Sequence, residues 1–126
     1  MIKIACDVHG VITKHPKMFS MFSKFVIENG GQFHILTGSQ LNKKLLAKLE
    51  TFDIEYTKIF SISTYLLEQG KSVHWDDPDN PWFEEEVWDK AKADYCQREG
   101  IVLHMDDSKD YEKYFQSIST KYLHVK

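Results

Sequence analysis

A chain of 126 residues, 42% apolar and 28% charged, has the size of one ordinary domain, and its eight Phe, six Tyr and three Trp supply a core. Its formal charge of −3 is spread over interspersed residues of both signs, which excludes a continuous basic face for a nucleic-acid backbone. No apolar run approaches the ~18 residues of a membrane span, so the expectation is a single domain over residues 1–126, with no membrane partner and no room for a full cap domain.

Ile2 to Cys6 is a short, almost continuously apolar run that suits a parallel strand covered on both faces, and it delivers Asp7 to the turn Val8-His9-Gly10. Pro16 preorganises a first helical turn; Met18, Phe22, Phe25 and Val26 follow at helical spacing, and Asn29-Gly30 stops that helix. Gln32 to Leu36 predicts a second strand ending in Thr37-Gly38-Ser39. Leu41, Leu45, Leu46 and Leu49 then mark one face of a second helix, with Ser39 as its cap. Glu55 to Ile62 reads as a third strand on its β-forming Tyr56, Ile59 and Phe60.

Thr64 to Gln69 reads as a short helix ended by Gly70, and Ser72 to Trp75 as a short strand or a loop. Asp76-Asp77-Pro78-Asp79-Asn80-Pro81 reads as a loop, with Asn80 capping and Pro81 opening a helix that holds Glu84, Glu85 and Glu86 in its first turn. That helix runs to Gly100, with a break near Asp89. Ile101 to Met105 predicts a buried strand ending at Asp106-Asp107, followed by a helix over Lys109 to Ser117 and a last strand over Tyr122 to Val125.

Strands alternating with helices imply an α/β fold, a doubly wound, mainly parallel sheet with helices on both faces. Ligands of such sheets bind beyond the carboxyl ends of the strands, near the point where strand order reverses. Asp7, Thr37 and Asp106 each follow a predicted strand, so topology alone collects them at one edge. Cys6 and Cys96 lack metal-ligand or redox spacing and read as reduced core thiols. With no basic-then-apolar targeting stretch, the expected location is cytoplasmic. His15, His34, His74, His104 and His124 show no metal-ligand spacing and read as structural residues. Trp75, Trp82 and Trp88 bracket the acidic segment, either as core anchors or as an aromatic wall over the strand ends.

Taken in order over most of the chain, DVHGVIT, HILTGS, a lysine within KADYCQREGIVLHMDD and LHMDDSKD resemble the successive motifs of the haloacid dehalogenase (HAD) superfamily of phosphotransferases. One departure is plain: His9 stands where the family usually has its second aspartate. The resemblance implies a Rossmann-like core in which Asp7 attacks phosphorus to form an aspartyl phosphate. It implies Mg2+ held by the Asp7 carboxylate, the backbone carbonyl of His9 and a carboxylate of Asp106 or Asp107. Thr37 and the Gly38 N–H would bind a phosphate oxygen, and Lys92, or alternatively Lys90, would clamp the phosphate. Asp110 would position a metal-bound water or favour the last helix start.

His9 would serve either as an imidazole acid and base or as a packed, non-catalytic residue. The implied substrate is a phosphorylated small molecule or a nucleotide. A phosphorylated nucleic-acid end lacks charge support, and an oligomer would be one way to close the site. The alternative is a degenerate phosphate- or metal-binding interaction module.

Overall fold

The computed structural model describes residues 1–70, 74–77 and 80–126, with backbone alone for 74–77 and 80–82. In chain order the elements are β1 (Lys3–Cys6), α1 (Pro16–Glu28), β2 (Gln32–Thr37), α2 (Lys43–Thr51), β3 (Lys58–Ser61), α3 (Ile62–Glu68), β4 (His74–Asp77), β5 (Asn80–Trp82), α4 (Glu85–Glu99), β6 (Leu103–Asp106) and β7 (Lys121–His124). Five strands form an all-parallel sheet in the order β3-β2-β1-β6-β7, while β4 and β5 pair as a separate antiparallel ribbon. The chain leaves β1 toward β2 and β3 and returns through α4 to place β6 on the other side of β1. Strand order therefore reverses between β1 and β6, as in doubly wound α/β proteins.

The sheet is buried on both faces because its strands alternate two apolar sets. Cys6, Phe33, Ile35 and Met105 pack with Phe19, Val26, Leu45 and Leu49 of α1 and α2. On the opposite face Ala5, Leu36 and Phe60 pack with Leu66, Ala91, Tyr95 and Cys96 of α3 and α4. Cys6 and Cys96 are both free and buried. No helix among the described residues is long and apolar enough to cross a membrane.

Several elements differ from the sequence expectation. The buried side of α1 is Phe19, Ser23 and Val26, whereas Met18 and Phe25 face solvent, because apolar residues surround most of this helix and spacing alone does not choose a face. Asn42, not Ser39, caps α2: its Oδ1 accepts the Leu45 N–H at 3.0 Å. Asn80 and Pro81 lie in β5 rather than at a helix start, and α4 begins only at Glu85 and runs unbroken through Asp89. Asp76 and Asp77 belong to β4, while Ser72, Pro78, Asp79 and the side chains of His74, Trp75 and Trp82 lie outside the described residues.

The expected helix over Lys109 to Ser117 is only a 3-10 turn, Glu112–Phe115. Side-chain bonds compete with helix formation there: Asp106 Oδ1 accepts the Ser108 N–H, Ser108 Oγ accepts the Asp110 N–H, and the Tyr122 hydroxyl donates to the Ser108 carbonyl.

Candidate active site

β1 and β6 each end against an aspartate, and their pairing holds the two side by side at the point of strand reversal. The Asp7 N–H continues the ladder by donating to the Met105 carbonyl at 2.9 Å, after which the backbone breaks into a tight turn over Val8–Ile12. Gly10 allows that turn, with φ at +80°. A Cβ there would lie 2.0 Å from the Asp107 Oδ2, so the loop after β1 sits close against the Asp107 side chain, which would have to move aside for any larger residue.

α4 inserts Lys92 between the strand ends. Its Nζ lies 2.7 Å from Asp106 Oδ2 and 3.3 Å from Asp7 Oδ1, with its side chain 2% exposed, and it sits over the Tyr111 ring at 4.9 Å. Lys90 points to solvent, so Lys92 is the lysine that the fold brings to the strand ends. It does so from the middle of α4 rather than from a helix start. Carboxylate oxygens of Asp7, Asp106 and Asp107 all fall within 4.8 Å of one another.

The charges in this cluster are unequal. Burial pushes the Asp7 carboxyl up to about 6, against the pull of Lys92 and with a further push from Asp106. Burial would raise Asp106 too, but the hydrogen bond from His104 and the charge of Lys92 outweigh it and hold this carboxyl well below the usual range. Burial disfavours the charged form of Lys92, yet Asp7 and Asp106 together keep its ammonium more basic than usual. His104 Nε2 lies 2.9 Å from Asp106 Oδ2, and because a carboxylate only accepts, that nitrogen carries the proton.

Thr37 is fully buried at the end of β2, where its Oγ1 accepts the Ser39 N–H at 3.1 Å and its hydroxyl hydrogen is left to donate. Gly38 lies under Trp88: a Cβ would stand 2.7 Å from the ring, and the Ser63 hydroxyl donates to the Gly38 carbonyl. Trp88 stacks on Phe83 and donates from Nε1 to the Tyr111 hydroxyl at 3.2 Å, so Trp88 supplies an aromatic wall next to the strand ends.

The His9 imidazole turns to Ser39, with Nε2 and Oγ 3.1 Å apart, rather than into the carboxylates. Partial burial lowers its proton affinity, as does Lys48, while Asp107 opposes them. Asp110 is exposed and stands apart from the acidic cluster.

His104 reads from the sequence only as a structural residue, and Trp88 only as a core anchor or an aromatic wall, although both carry a spacing signal that ties them to this site. His104 stands two residues before Asp106 on one strand face, and Trp88 four residues before Lys92 on one helix face. His34, read as structural, is paired on both nitrogens, with the Tyr95 hydroxyl at 2.8 Å and Gln32 Oε1 at 2.9 Å.

The donor set suits a hard divalent cation. Three carboxylates converge, and the elevated Asp7 carboxyl marks a place where added positive charge is favourable. Comparisons with protein-family models, curated proteins and solved structures give no match to this chain.

Proposed function

We propose that this chain is a small HAD-type phosphohydrolase that cleaves a phosphate monoester through an aspartyl phosphate on Asp7, with Mg2+ as cofactor. The observation that carries the reading is the buried lysine at the strand reversal. Lys92 ties Asp7 to Asp106 while leaving Asp7 the more weakly held of the two. Asp7, Asp106 or Asp107, and the His9 carbonyl would hold the cation, which would supply positive charge against the phosphate oxygens.

Asp7 attacks phosphorus as the ester P–O bond breaks, and the departing oxygen takes a proton from His9. Water then attacks phosphorus and gives its proton back to the imidazole. The aspartyl P–O bond breaks, releasing inorganic phosphate and the Asp7 carboxylate. The Thr37 hydroxyl and the Gly38 N–H bind phosphate oxygens, and Lys92 neutralises the charge that builds on them.

A second reading, a phosphate- or metal-binding module without turnover, draws support from one feature: the His9 imidazole is bonded to Ser39 and not to the carboxylates. Assay of a panel of phosphate monoesters with Mg2+ separates the two. The hydrolase reading expects Mg2+-dependent release of phosphate that falls by about 10³-fold or more in Asp7→Asn. Activity that survives in Asp7→Asn defeats the nucleophile assignment. No release from the wild type, with a large gain in His9→Asp, favours the silent module.

A further inference from the structure

His9 also lines a pocket of about 280 Å³, whose walls include Ser39, Asn42, Lys44 and Lys48. No acidic residue lines it. Lys44 and Lys48 stand one turn apart on α2, so both project from one helix face. Neither forms an ion pair among the described residues.

Like charges at this spacing repel, and Asn42, the N-cap at the positive end of α2, lines the same space. Lys48 is close enough to depress the proton affinity of His9. In a chain of net charge −3, two unneutralised ammonium groups on one concavity describe a place for an anion.

The pocket shares a wall with the strand-end site. His9 follows Asp7 by two residues, Ser39 follows Thr37 by two, and the His9–Ser39 bond joins the two loops. A group carried beyond a phosphate at Asp7 and Thr37 has this pocket as its neighbour across the shared wall. From this geometry we infer that the pocket binds a second anionic group of the substrate, so that the substrate class is a phosphate monoester bearing a further phosphate or carboxylate. The inference rests on reading the Asp7 site as the place where phosphate binds.

The test is calorimetric binding to the whole chain in Mg2+ buffer, with methylphosphonate, alkane bisphosphonates of increasing chain length, and carboxyalkylphosphonates as probes. The best doubly anionic probe should bind roughly five- to twentyfold more tightly than methylphosphonate, and Lys44→Gln combined with Lys48→Gln should abolish that advantage. A bisphosphonate that outperforms its carboxylate analogue assigns a phosphate to the pocket, and equal performance shows that any anion of that charge suffices.

Equal affinity for all probes, or an advantage that survives the double substitution, overturns the inference. A lysine-dependent advantage in a chain that hydrolyses no ester removes the hydrolase reading and leaves the pocket standing. Turnover without the advantage does the reverse, and a chain that binds none of the probes overturns both.

Discussion

The carboxyl ends of β1 and β6 are adjacent, parallel and both marked by an aspartate, yet the two carboxylates differ in character. Asp106 is fully buried and fully engaged: Lys92 and His104 meet Oδ2, and the Ser108 N–H meets Oδ1. Asp7 has a longer contact with Lys92 and keeps its proton up to about 6. The difference originates two residues earlier in each strand. His104 precedes Asp106 and Ala5 precedes Asp7, and these two are register partners across the ladder. One strand thus equips its aspartate with a hydrogen-bond donor while its neighbour supplies only a methyl group. Asp106 anchors the lysine, and Asp7 is the less tightly held carboxylate of the two.

Breaking the anchor should have the largest effect on stability. Asp106→Asn strips Lys92 of its closest partner and leaves a buried ammonium poorly paired, which should cost about 3–5 kcal/mol in chemical denaturation. Asp7→Asn should lose its turnover while unfolding within about 1 kcal/mol of wild type or above it, since the native carboxylate is itself held against burial. If Asp7→Asn proved the more damaging to stability, the contrast between anchor and reactive carboxylate would collapse.

His104→Ala makes the two strand ends alike. Loss of a buried imidazole that stacks on Phe115 should cost about 2–4 kcal/mol. It also removes a group that holds the Asp106 carboxyl low, so this carboxyl should titrate at higher pH than in wild type, followed by carbon NMR of the side-chain carboxyl. An unchanged titration would show that Lys92 alone sets the behaviour of Asp106.

pH sharpens the comparison because the two aspartates act with opposite sign. Asp106 binds its proton more weakly folded than unfolded, so its contribution is present above its ordinary 3.8 and is lost as pH falls toward its lower folded value. Asp7 binds its proton more tightly folded. Its contribution is complete below 3.8 and is lost as pH rises through about 6. Without metal, wild type should therefore lose about 1–3 kcal/mol relative to Asp7→Asn between roughly pH 4 and pH 7, measured as denaturant midpoints. Mg2+ should recover that loss in wild type and not in the variant, and a flat difference across this range would place the burden of burial elsewhere.

One further expected effect concerns the wall. Gly38→Ala must displace Trp88, at about 1–3 kcal/mol, with a red shift or quenching change in its fluorescence as the readout.

Much of this arrangement was legible in the chain. The apolar runs ending at Cys6, Leu36 and Met105 placed Asp7, Thr37 and Asp106 at one edge, because a parallel sheet turns sequence position after a strand into spatial position. Residues whose partners come from other elements were harder to read. Trp88 finds Gly38, and His9 finds Ser39, only after the helices dock.

Caps also misled. Ser39 and Asn80 both carry capping side chains, but Asn42 takes the first role, and the β4–β5 ribbon draws Asn80 into a strand. The segment after Asp107 reads as a helix by composition, yet Asp106, Ser108 and Tyr122 bind its backbone before a helix can form.

Trapping the covalent site addresses the central claim without knowledge of the substrate. Wild type titrated with beryllium fluoride and Mg2+ and followed by fluorine NMR should show slowly exchanging bound resonances that saturate at one equivalent and vanish in Asp7→Asn. Their absence from wild type, or their persistence in Asp7→Asn, would contradict a nucleophilic carboxylate at the end of β1.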